Sequence, residues 1–183
     1  MATIAIFAGH GGSDPGAVSD GLREKDFNLA VSNKVTSILR GWGYTVVNNR
    51  TTDVARDITK DANLANQKKV DLVVELHVNS NSGTPGKGTE AYVSIFDSGL
   101  ARKVSTAILK NISDLGYTNR GIKTSVNASG KDAFGIIRQT LMSAVLLELA
   151  FINNKQDMER FNVDKMAMAV AMGIRDAVPL KKV

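Results

Sequence analysis

The chain of 183 residues contains no cysteine. That excludes disulfide bridges, thiolate nucleophiles and cysteine-held zinc, so any metal must be bound by histidine, aspartate or glutamate. Histidine is scarce too, with only His10 and His77. Aromatic residues make up 5% of the chain and its lysines do not cluster, so nucleic acid is not an expected partner. The formal net charge of +5 points no further than to an acidic or polyanionic partner. No apolar run is long enough to span a membrane, and membrane insertion is not expected. The opening stretch lacks a basic leader region and runs straight into a strand pattern, so no signal peptide is expected either.

What remains suits a single domain with a substantial core. Val70 to Asn79 is an almost unbroken apolar run, as in a strand covered on both faces, and it ends in His77, Val78 and Asn79. Thr3 to Ala8 reads as a first buried strand, followed by a loop of Gly, His, Asp and Pro from Gly9 to Gly16. That loop lacks the spacing of a dinucleotide site and the Lys-Ser/Thr of a P-loop. Helical periodicity predicts helices from about Asp26 to Arg40, Thr59 to Lys69 and Ser98 to Leu115, with a last one through Met166 to Ile174. There, Met166, Met168 and Met172 read as packing residues. Strands are expected at Tyr44–Asn49, Thr89–Ile95, Phe134–Arg138 and Ala144–Leu149, and a long loop from Arg120 to Asp132. The expected fold class is therefore α/β: one domain with a twisted, mostly parallel (mixed) sheet of about six strands and helices on both faces.

Three strands carry a strong functional side chain near their ends: His10, His77 and Glu148. A parallel sheet gathers such ends at one edge, and Glu24, at the mouth of the first helix, can reach the same place. Two imidazoles and a carboxylate make a catalytic type of zinc site, with a fourth position open. Glu148 lies in a valine and leucine run where a carboxylate is costly to bury unpartnered, which marks it as the general base. Glu75 is a rival ligand two residues before His77. Strand alternation directs it to the face opposite Leu76, and a paired structural or supporting carboxylate is expected there.

The segments Ala8-Gly9-His10-Gly11-Gly12, Asp14-Pro15-Gly16-Ala17 and Glu24 to Ala30 resemble the zinc-dependent N-acetylmuramoyl-L-alanine amidases, the catalytic domains of bacterial autolysins and phage endolysins. Arg50-Thr51-Thr52-Asp53, Ala65-Asn66, Val70 to Asn79, Gly88 to Tyr92, Arg120 to Lys123, Ile136 to Thr140 and Glu148 to Asn154 continue the resemblance in the same order. It implies that His10, Glu24 and His77 bind one zinc ion per chain and that Glu148 is catalytic. The implied reaction is hydrolysis of the amide between N-acetylmuramic acid and the L-alanine of the peptidoglycan stem peptide. The chain departs from the family where Asp61 and Asn63 replace a usual arginine, Ser143 a proline, Ala150 a glycine and Glu75 a small hydroxyl residue.

The expected organisation is a zinc amidase domain over residues 1–178 with a tail at 179–183, a monomer acting on the cell wall. It would be made in the cytoplasm and released as an endolysin, or be the trimmed catalytic part of a longer protein. The alternatives are a zinc exopeptidase-like hydrolase and a non-catalytic wall-binding module with structural zinc. Asn79, Glu90, Arg120, Lys123 and Arg138 are further polar residues placed to contact substrate.

Overall fold

The structure is a computed structural model and describes residues 2–180 except Pro85; the last three residues of the expected tail lie outside that range. A six-stranded sheet forms the centre, in the order β4-β1-β5-β8-β6-β7. Its strands are β1 (Thr3–Ala8), β4 (Thr45–Asn48), β5 (Leu72–Asn79), β6 (Thr89–Val93), β7 (Asn119–Lys123) and β8 (Ala144–Phe151). The pairs β1–β4, β1–β5, β5–β8 and β6–β7 are parallel, and only β6–β8 is antiparallel. A small hairpin of β2 (Val18–Ser19) and β3 (Leu22–Arg23) precedes the first helix.

Alternation along the strands builds two unequal cores. Ile4, Ile6, Leu72, Val74, Leu76, Val145 and Leu147 join Val35, Ile108 and Val170 in the larger one. Those last three belong to α1 (Glu24–Gly41), α3 (Leu100–Asp114) and α6 (Val163–Ala177). Ala5, Phe7, Val73 and Leu146 point the other way, into a smaller core with α2 (Ile58–Lys68) and α4 (Gly135–Gln139). The short helix α5 (Lys155–Glu159) follows β8. Residues in register with the smaller face but nearer the strand ends are Glu75, His77, Glu90 and Glu148, where helical cover gives out. The same alternation that fills one core with aliphatic side chains therefore lines up four polar ones on the opposite face.

Two expected elements are corrected. Phe134–Arg138 is not a strand, because Gly135–Gln139 is a short helix. Ile136 and Ile137 are both buried against α2, which one helical turn allows and a pleated strand with one covered face does not. The sixth strand comes instead from Asn119–Lys123, which from Arg120 onward is expected as loop. It pairs with β6 alone, and a polar, glycine-containing edge strand carries no apolar signature. Among the last helix's methionines Met166 is buried, whereas Met168 and Met172 are partly exposed at 41% and 36%.

Candidate metal centre and active site

β1 ends at Ala8, and the chain turns at Gly9 and His10. His10 holds φ at +58°, a left-handed conformation unusual for a residue with a side chain, and a sign of local constraint. The constraint is visible in the surrounding contacts. Buried Arg50 donates to the carbonyls of Ala8, Gly9 and Lys25, and Lys25 Nζ donates to the Gly12 carbonyl and to Asp53. The Arg50–Asp53 segment is thus the staple of the His10 loop. Gly9 must be glycine, since a Cβ there would lie 2.3 Å from the His77 ring. At Gly16, with φ +66°, a Cβ would lie 2.6 Å from Glu24 Oε2.

Glu24 is the first residue of α1, not ahead of it, and stands between the two rings. His77 Nδ1 lies 2.8 Å from Glu24 Oε1, and His10 Nε2 lies 3.3 Å from Glu24 Oε2. The backbone N–H groups of Ala17 and Val78 and the side-chain amide of Asn28 donate to the same carboxylate. Burial alone would raise the Glu24 carboxyl, but its bonds to His10 and His77 outweigh that and hold it well below the usual range. Burial alone would lower His77, yet the Glu24 and Glu75 carboxylates raise it to about 10. His10 is raised too, chiefly by its bond to Glu24.

Glu148 sits directly opposite His77 in the β5–β8 register and opposite Glu90 in the β6–β8 register. Its Oε2 is buried and has no hydrogen-bond partner among the described residues. Burial pushes its carboxyl up to about 7, and the Glu24 and Glu90 charges add to the rise while His77 opposes it. Such a group holds a proton and releases it near neutrality, which suits a general acid or base.

His10, Glu24, His77 and Glu148 line one cavity of about 660 Å³, whose walls include Ile58, Phe134 and Asn79. One donor atom from each of His10, Glu24 and His77 lies within 4.8 Å of the other two, the only such group among the described residues. Two imidazoles and a carboxylate suit zinc, and the orphaned Glu148 oxygen lies in the same cavity. The residues fit the ion. All four expected site residues therefore meet in one place.

A family model for N-acetylmuramoyl-L-alanine amidase matches residues 4–179. The chain belongs to that family. The endolysin of Bacillus phage SPP1 is 36% identical over 188 residues, covering 98% of this chain and 67% of that protein. Among solved amidase structures, the catalytic domain of CwlV from Bacillus (Paenibacillus) polymyxa superposes with TM-score 0.86 at 31% identity, covering 99% of this chain and all of that one. Cwp6 from Clostridium difficile matches with TM-score 0.92 at 36% identity over 97% of this chain, which spans 29% of Cwp6.

Within the amidase fold the further polar residues divide. Glu90 is buried and gathers Arg120, Lys123, Tyr92 and Asn79 around its carboxylate. Arg138 does not join the site. It donates to the carbonyls of Asp132 and Ala133 and lines a separate cavity at the start of β8. Two neighbours of the site are not visible in the sequence. Asp14 Oδ2 lies 2.7 Å from His10 Nδ1, and the i, i+4 spacing within a loop gave no warning of it. Arg56 forks onto Glu75 at 2.8 and 3.1 Å and also bonds Asp61. Its one trace in the sequence was Glu75 itself, a carboxylate in an apolar strand that required a cation.

Proposed function

We propose that the chain is a zinc-dependent peptidoglycan amidase that hydrolyses the bond between N-acetylmuramic acid and the L-alanine of the stem peptide, in cell lysis or wall remodelling. His10, Glu24 and His77 would hold one zinc ion, and Glu148 serves as the general base. The observation carrying this reading is the orphaned Oε2 of Glu148 in the same cavity as the three convergent donors. Zinc, when bound, supplies Lewis-acid polarisation of the scissile carbonyl and stabilises the charge that develops on its oxygen.

The chain's own part follows from its proton inventory. Glu148 takes a proton from the attacking water as the new C–O bond forms. It then hands that proton to the alanine nitrogen as the C–N bond breaks, so the products are a carboxylic acid and a free amine. Its place in the same cavity as the three donors lets one carboxylate serve both transfers. Glu24 cannot substitute, because both its oxygens are already engaged by histidines and backbone N–H groups. The wall-degrading names of the relatives support the substrate class, and none of the described helices is long and apolar enough to cross a membrane.

The test is end-group chemistry on digested walls. New amino termini should be alanine, activity should vanish in chelator and return with zinc, and release of reducing sugar or D-alanine instead would refute the reading.

A further inference from the structure

Each histidine of the centre is held from two sides. His10 presents Nε2 to Glu24 and Nδ1 to Asp14; His77 presents Nδ1 to Glu24 and Nε2 to Glu75, at 2.7 Å. The two outer carboxylates differ in kind. Asp14 is 60% exposed at the side chain and, among the described residues, pairs with no lysine or arginine, so water competes for it. Glu75 is 3% exposed and clamped by the two-pronged guanidinium of Arg56.

Arg56 in turn bonds Asp61, which accepts from Asn49 Nδ2. Asn49 grips both the N–H and the carbonyl of Ala8, two residues before His10. A largely buried polar chain therefore runs from the His77 ring through Glu75, Arg56, Asp61 and Asn49 to the strand end that precedes the other histidine.

We propose that Glu75, fixed by Arg56, is the positioning residue for His77: it accepts the Nε2–H of the ring and so leaves Nδ1, the nitrogen facing Glu24, as the metal-binding atom. The proposal rests on the zinc reading above. The physical reason is general. A metal-binding imidazole has one nitrogen to give, and the partner of the other nitrogen sets the tautomer and the ring orientation and makes the ligand more basic. Gly9 restricts the ring further, since its backbone packs against the imidazole without a Cβ between them. The buried, charge-paired Glu75 should matter more than solvated Asp14, because a carboxylate shielded from water keeps its hold on the ring.

Two histidines make the test direct. In zinc-loaded protein with nitrogen-15 in its histidines, long-range proton–nitrogen spectra should show the His77 ring protonated at Nε2 and metal-bound at Nδ1. Metal on Nε2 of His77 would overturn the proposal without any substitution being made. Zinc affinity by chelator competition should weaken about 10–100-fold in Glu75→Gln. It should weaken less in Asp14→Asn, and in the same direction as Glu75→Gln in Arg56→Lys, which keeps the charge but loses the fork. A purely structural Glu75 would lower the melting temperature of the zinc-free protein and leave the zinc affinity of the folded variant unchanged, and that result refutes the proposal. A wild-type protein that binds no zinc would refute the zinc reading itself, whereas tight zinc binding equal in wild type and Glu75→Gln would remove only the role of Glu75.

Discussion

Replacing Glu148 with glutamine removes a charge and keeps the shape, and the structure predicts opposite effects on stability and on catalysis. In the zinc-free protein the carboxyl is raised from 4.5 to about 7. The folded state therefore keeps this proton to higher pH than the unfolded chain does. The stabilisation is complete below about pH 4.5 and is lost progressively as the pH climbs through 7. At 1.36 kcal/mol per pH unit the loss amounts to about 3 kcal/mol. Glutamine cannot ionise, so relative to wild type the variant should gain stability between pH 4.5 and 7 and hold the gain above. Catalysis should fall about 10²–10⁴-fold, equivalent to about 3–5 kcal/mol of transition-state stabilisation. Denaturant unfolding of zinc-free wild type and Glu148→Gln across that range gives the first quantity, and turnover of wall fragments with zinc loading verified gives the second. A variant no more stable at pH 8 than at pH 4.5, relative to wild type, would refute the electrostatic reasoning. One with near-normal turnover would show that another group is the base.

His77 in the zinc-free protein is raised to about 10, so at pH 8 it carries protons on both ring nitrogens. Zinc binding should then release at least one proton, read by calorimetry in two buffers of different ionisation enthalpy, and proton-neutral binding would contradict the assignment of His77 as a ligand. Gly9→Ala would drive a methyl group to 2.3 Å from the His77 ring, and should weaken zinc binding at least tenfold while costing about 1–3 kcal/mol of stability. Chelator competition and denaturant unfolding check the two. Ile136→Ala should cost about 2–5 kcal/mol through the cavity left against α2, and an unchanged unfolding midpoint would show that α4 is not docked as described.

The fold class was legible in the sequence because its strands are continuous apolar runs and its long helices keep a clean period. β7 was not, since an edge strand needs no apolar face and Asn119–Lys123 has almost none. α4 was misread for a related reason: five residues with two adjacent isoleucines satisfy either geometry, and only the neighbouring helix decides. At the site, His10, His77 and Glu148 stood out because each interrupts or ends an apolar strand. Glu24 was reachable from its position near the His10 loop, and the structure shows it closing the gap between the rings. Arg56 and Asp14 lay in loops where no periodicity operates, and their importance appears only when the chain is folded onto Glu75 and His10. Glu75 marks the boundary between the two cases. Its presence in an apolar run announced that a partner must exist, and the fold was needed to show that it had two.

If His10, Glu24 and His77 hold a zinc ion at which an amide of peptidoglycan is cut with Glu148 as base, the metal and the new end group must appear together. The most direct measurement is the yield of new amino-terminal alanine from purified peptidoglycan as zinc is titrated into metal-free protein. Alanine termini should rise in proportion to bound zinc and reach a plateau at one ion per chain. Alanine release that is independent of zinc, or zinc-dependent release of some other end group, would contradict it.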